Sequence, residues 1–153
     1  ACRDLKTRDI MKQVIVCVLG LLFVLTAEAQ INWTSLEEAV EQSKIAPKKI
    51  IVKIYSEECV WCKRMDKQTL NDPSISSYVE ENFYAVALNA SSKEDITFKD
   101  ETYQFVKKSG RSYHELAAKM TRGNLSFPSI VFFDEDLNII QSINGFKEKA
   151  LFM

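Results

Sequence analysis

Residues Ile50–Met65 read IIVKIYSEECVWCKRM, and this stretch decides the fold. Its first six residues are dominated by β-branched and aromatic side chains, which favours a strand buried on at least one face, interrupted by Lys53. A short polar turn, Ser56-Glu57-Glu58, follows. Cys59 and Cys62 come next in C-x-x-C spacing, and a charged, helix-compatible segment begins at once. A strand that delivers two cysteines to the first turn of a helix is a redox arrangement. Unpaired N–H groups and the partial positive charge of the helix start stabilise a thiolate at Cys59. Two intervening residues let the second sulfur close onto the first.

Upstream, Ser35 with Glu38, or Thr34 with Glu37, makes a capping-box start for a helix whose inward stripe is Leu36, Ala39, Val40 and Ser43. Pro47 ends it. Ile31-Asn32-Trp33 reads as a short edge strand, and Trp33 as packing. Downstream of the cysteines the helix extends from Cys59 to about Leu70, with Met65 and Leu70 inward and Lys63, Arg64, Asp66 and Lys67 solvated. Asn71-Asp72-Pro73 is a turn, and Pro73 opens a second helix over Ser74–Glu81, with Ile75, Tyr78 and Val79 as its apolar face. Phe83–Leu88 is a strand. Asn89–Asp100 is a polar connection, and one or two helices are expected between Asp100 and Met120, with a break at Ser109-Gly110. Pro128–Phe133 and Ile139–Ile143, joined by the turn Asp134–Asn138, make an antiparallel hairpin. Lys147–Met153 reads as the start of a helix cut short, and Lys147–Lys149 as a solvated helix start.

The N-terminal part reads differently. Met11-Lys12 precedes an apolar core, Val14–Leu25, which ends in Thr26-Ala-Glu-Ala29. A positive start, a core of about 12 residues and a small-x-small exit describe a signal peptide cleaved after Ala29, rather than the roughly 20 apolar residues of a membrane span. An uncleaved anchor and a buried element are the rival readings. Residues 1–10 are then upstream or vector-derived sequence, 11–29 the signal peptide, and 30–153 one domain. Cys17 lacks the preceding small residue expected of a lipid-modified cysteine. The expected location is the periplasm or outside the cell, and the cytoplasm if the signal reading fails.

The 153-residue chain carries 20 Lys and Arg against 21 Asp and Glu. Residues 30–153 keep 16 against 18, so charge gives no reason to expect a nucleic acid or an anionic membrane as partner. Of four cysteines only Cys59 and Cys62 lie in that domain. An exported chain with access to disulfides uses neither as a long-range staple, which argues for chemistry over architecture. Three chemistries compete for an isolated C-x-x-C: half a zinc site, a structural disulfide and a redox dithiol. Structural zinc needs four Cys or His ligands, and only His114 and carboxylates remain to complete a set. The strand–turn–helix context favours redox, with no metal or organic cofactor.

In that reading Cys59 attacks and Cys62 resolves. Lys63 adds a modest positive field, while Glu57 and Glu58 oppose it. Trp61 offers apolar contact to a client or shields Cys62. His114, in HELAAKM, reads as a surface or capping residue of a helix.

Val52–Lys63 resembles the active-site stretch of the thioredoxin superfamily, closest to exported thioredoxin-like proteins with a C-x-W-C-K site. Met65–Ile75, MDKQTLNDPSI, continues that pattern, and Ser126-Phe127-Pro128-Ser129 resembles the family's cis-proline loop. The resemblance covers roughly Ser35–Phe146. It implies an α/β fold with a mixed four- to five-stranded sheet flanked by helices, and a cis peptide between Phe127 and Pro128 beside the cysteines, both residues supporting the site. It also implies protein thiol and disulfide clients and a redox partner protein; the expected state is a monomer with no lasting membrane contact after signal cleavage. Two departures stand out. Lys53 occupies the position where many thioredoxins carry a buried Asp, and Val60-Trp61 replaces Gly-Pro between the cysteines. The Thr97–Gly123 region is longer than the minimal fold needs, as a recognition surface or an extra packed helix.

Overall fold

The computed structural model describes residues 30–108 and 110–152. The expected signal peptide and the residues before it lie outside that range. Helix α1, Leu36–Ile45, is capped by Ser35, whose Oγ accepts the Glu38 N–H at 3.1 Å. Strand β1, Lys49–Tyr55, leads through the cysteine turn into α2, Val60–Met65, which runs on as a π-helical turn over Asp66–Leu70. Helix α3 spans Pro73–Asn82 and β2 Phe83–Asn89. Strands β3 (Ile96–Phe98), β4 (Glu101–Tyr103), β5 (Phe105–Lys108) and β6 (Arg111–His114) precede α4, Glu115–Met120. Strands β7, Ser129–Phe133, and β8, Ile139–Asn144, complete the sheet.

The main sheet has four strands in the order β2-β1-β7-β8. The β1–β2 pair is parallel, while β1–β7 and β7–β8 are antiparallel, so the sheet is mixed. Strand β1 is central, and its alternation divides the core. Ile50, Val52 and Ile54 face α1 and α4, packing with Leu36, Ala39, Leu116, Met120 and Phe133. Ile51 faces the other way, onto Met65, Leu70, Ile75 and Val79 of the α2–α3 layer. Both faces of the strand are covered, which is why it reads as an apolar run rather than a clean alternation. Each fully buried Ile contributes about 1.5–3 kcal/mol of burial.

Three expectations are corrected. Ile96–Met120 holds two β-hairpins before its helix. Ile96-Thr-Phe98 pairs with Glu101-Thr-Tyr103 across a two-residue turn in which Lys99 and Asp100 take φ of 52° and 61°. Phe105–Lys108 pairs with Arg111–His114, and Gly110, just before the second strand, adopts φ 76°. Ile96-Thr97-Phe98, Thr102-Tyr103, Phe105-Val106 and Tyr113 are β-branched or aromatic, and that strand propensity outweighs helix propensity. Ile31–Trp33 forms no strand; the residue after it, Thr34, makes an isolated parallel bridge to Val86 of β2. His114 is not at the surface but fully buried. Its Nδ1 accepts the Leu116 N–H at 3.3 Å, capping α4, and Nε2 lies 3.0 Å from the Glu94 carbonyl. The capping half of the expectation holds, and the buried residue is held against the connection after β2, its N–H donating to the Ala90 carbonyl and its ring meeting the Glu94 carbonyl.

At the start of α3, Asp72 is the N-cap, and Lys149 reaches it from the far end of the chain at 2.8 Å. The Lys149 ammonium and then the Ser74 hydroxyl hold the Asp72 carboxyl well below its ordinary 3.8. A depressed folded-state pKa means stability present above the unfolded value and lost as pH falls through the folded one. The thermal midpoint of Asp72→Asn is therefore expected to vary less than wild type as pH drops below about 5. Parallel melting curves from pH 6 to pH 2 check this.

Candidate active site

The site is assembled at one end of the sheet. Ile54 of β1 is in register with Ser129 of β7, and Ser129 with Asn144 of β8. The turn leaving β1, the Ser126–Pro128 loop entering β7 and the Gly145-Phe146 turn leaving β8 therefore share that end. Asn89, the last residue of β2, joins them by donating Nδ2–H to Glu57 Oε1 at 3.2 Å.

Cys59 and Cys62 form a disulfide with a Cα–Cα separation of 5.2 Å, within the range such a bond requires. Cys59 is the N-cap of α2. Its Sγ accepts the Cys62 N–H at 3.0 Å, and its carbonyl accepts the N–H groups of Cys62 and Lys63. One backbone donor, the Cys62 N–H, is thus aimed at the sulfur that the sequence reading makes the nucleophile. Cys59 is half-buried whereas Cys62 is buried, so an incoming partner meets Cys59 first.

The other expected residues are spread around this pair. Trp61 stands 53% exposed and Val60 72% exposed, which leaves an apolar surface beside the sulfurs and excludes shielding as the whole role of Trp61. Lys63 is exposed on the first turn. The Phe127–Pro128 peptide is cis and Pro128 is buried. The Phe127 ring packs toward the α1–α4 core, so its side chain serves that layer while its backbone lies at the site. Glu57 and Glu58 are exposed on the turn before Cys59.

Lys53 points from β1 into the α2 layer and is 7% exposed. Its ammonium donates to Asp66 Oδ1 at 2.8 Å and lies 4.4 Å from the Trp33 ring centroid and 5.4 Å from that of Tyr55. Trp33 is thus packing, as expected, with a cation on its face. Asp66 follows Cys62 by four residues, one helical turn, and its N–H donates to the Cys62 carbonyl. The Asn71 N–H closes the π turn on the Asp66 carbonyl at 2.8 Å.

Sequence reasoning assigned Arg64 and Asp66 to solvent and gave Phe146 no role. The structure sets Arg64 over both Trp61 and Phe146, at 5.2 and 5.3 Å from the ring centroids. The i, i+3 spacing of Trp61 and Arg64, and the i, i+4 spacing of Cys62 and Asp66, were the signals available. Among the described residues, no group of three or more His, Cys, Asp or Glu side chains gathers as a metal site, and no helix is long and apolar enough to cross a membrane.

Comparison with known proteins matches the thioredoxin-like domain family over residues 36–152. Among solved structures, this chain is similar to a DsbH oxidoreductase at 22% identity and TM-score 0.55, covering 80% of this chain and 81% of that one. A thioredoxin from Thermus thermophilus aligns at 20% identity and TM-score 0.60, over 80% and 82%. The oxidised C-terminal domain of DsbD from Neisseria meningitidis aligns at 19% identity and TM-score 0.51, over 79% and 93%. At these identities the likeness is one of fold. No curated protein matches the sequence.

Proposed function

The chain belongs to the thioredoxin-like domain family, and from that premise we propose that it is an exported thiol–disulfide oxidoreductase that reduces disulfides in client proteins. The observation that carries the reading is the pairing of a half-exposed Cys59, the N-cap of α2 whose sulfur accepts the Cys62 N–H, with a buried Cys62. The reduced protein begins as a dithiol. The Cys59 thiolate attacks one sulfur of the client disulfide. The client S–S bond breaks, its other sulfur leaves as a thiolate and takes up a proton, and a Cys59–client mixed disulfide forms. Cys62, losing its proton, then attacks Cys59 Sγ. That step releases the second client thiol and closes the Cys59–Cys62 bond. Two electrons have passed to the client, and a separate redox partner protein must return them.

No organic cofactor or metal enters this cycle, and the domain works as a monomer on protein clients. Trp61 and Val60 provide apolar contact, Lys63 a positive field, and the backbone at Phe127-Pro128 an edge beside the sulfurs. Export rests on the signal-peptide reading of Met11–Ala29, and places the protein in the periplasm or outside the cell.

The equilibrium reduction potential of the Cys59/Cys62 pair tests the direction. A value near or below about −230 mV is expected for a reductant. A value between about −180 and −120 mV would assign the protein to isomerisation or oxidation. Absence of any reversible Cys59–Cys62 bond would overturn the redox reading and favour a client-binding module.

A further inference from the structure

We infer that Arg64, seated on an aromatic ledge beside the disulfide, selects client segments that carry a carboxylate close to their cysteine. This rests on the proposed thiol–disulfide exchange and assigns it a substrate preference.

The ledge is built from two distant parts of the chain. Trp61, between the cysteines, and Phe146, in the turn after β8, have ring centroids 5.7 Å apart with planes inclined at 50°. The Arg64 guanidinium lies over both rings. The β8 turn is tied to the π-helical turn by the Thr69 hydroxyl, which donates to the Lys147 carbonyl at 2.8 Å. Arg64 Nε donates to Gln68 Oε1 at 2.9 Å, which fixes the plane of the fork and spends one of its five N–H donors. Among the described residues no acidic side chain pairs with Arg64.

An arginine in the last turn of a helix has an ordinary role, complementing the negative end of the helix dipole, and a solvated lysine would fill it. Stacking on two rings is something a lysine's flexible ammonium would not reproduce in the same form. A planar cation held in one orientation, with free donors, is suited to bidentate recognition of a carboxylate.

Charge across the site gives the preference a direction. Glu57 and Glu58 are exposed before Cys59, with Glu57 oriented by Asn89, and Lys63, Arg64 and Lys67 are exposed after it. An extended segment lying across Cys59 meets negative charge on one flank and positive charge on the other. The occupant that fits is a protein segment with an apolar residue for Val60 and Trp61 and an Asp or Glu on the Arg64 flank.

The test uses symmetric disulfides of one short peptide, Glu, Gln or Lys standing two residues from its cysteine. Second-order rates are measured with the reduced protein at low salt. Each is divided by the rate of the same protein with neutral bis(2-hydroxyethyl) disulfide, which cancels changes in thiol reactivity. Two exposed charge interactions of opposite sign separate the Glu and Lys peptides by about three- to tenfold in favour of Glu. Arg64→Gln lowers the ratio severalfold, Arg64→Glu lowers it further, and added salt shrinks it in wild type. A wild-type ratio of one, or a preference undiminished in Arg64→Gln, overturns the assignment to Arg64. If the neutral disulfide is not reduced at all, the redox reading falls and this inference with it.

Discussion

Cys62→Ser is expected to stop the cycle at the mixed disulfide, so that the protein accumulates covalently joined to its client. Cys59→Ser is expected to leave neither adduct nor turnover, with client reduction falling on the order of a thousandfold or more, to background. The asymmetry follows from position. Cys59 is half-buried at the helix start, with the Cys62 N–H aimed at its sulfur, whereas Cys62 is buried behind it. A hydroxyl at position 62 keeps the backbone donor, so attack by the thiolate at 59 survives. It cannot serve as the second nucleophile at neutral pH, so the mixed disulfide is not resolved. Gels without reductant, and mass spectrometry of the adduct formed with a model disulfide client, separate the two variants. Adducts through Cys62 in Cys59→Ser would reverse the assignment of roles. Unchanged client reduction by both variants would place the function outside the dithiol, in a binding surface of the fold.

The cysteine pair and its place between the central strand and a helix were legible in the sequence because their signals are local. Apolar β1, the polar turn and the C-x-x-C spacing lie within 16 residues, and the alternation of Ile50–Ile54 across both core faces accounts for the central strand. The β7–β8 hairpin was equally local, with Asp134 at its turn accepting the N–H groups of Asp136 and Asn138. The region from Ile96 to His114 was misread because each strand is only three or four residues long. Its Lys99-Asp100 turn also lacks the Asn-Gly or Asp-Gly signature. What could not be read was the side-chain company of residues distant in sequence. Arg64 and Asp66 sit among charged residues that look solvated, and only the fold brings Phe146 to one and Lys53 to the other. His114 shows the same limit: its capping role is local, but its buried partners, the Ala90 and Glu94 carbonyls, are 20 or more residues away.

The Lys53–Asp66 pair is expected to respond unequally to loss of its two members. Asp66→Ala should destabilise the oxidised protein by about 2–3 kcal/mol, and Lys53→Met by no more than about 1 kcal/mol. The side chains differ in access to water: Lys53 is 8% exposed and Asp66 37%. Removing the carboxylate strands an ammonium inside the α2 layer, with the faces of Trp33 and Tyr55 in reach. Those faces recover part of the lost interaction, and the partial exposure of Asp66 limits the original gain, so the cost stays below the range for a fully buried pair. Removing the ammonium instead leaves a carboxylate that can turn to solvent, and methionine fills a similar volume beside Trp33. The double variant Lys53→Met/Asp66→Ala should then be as stable as Lys53→Met alone, because the penalty of Asp66→Ala belongs to the stranded charge rather than to lost packing. Urea unfolding of the four proteins at pH 7 closes this cycle. Equal costs for the two single variants, or additivity in the double, would mean that the Lys53 ammonium reaches water by a route other than Asp66. The buried lysine of the central strand would then be held by packing of its alkyl stem alone.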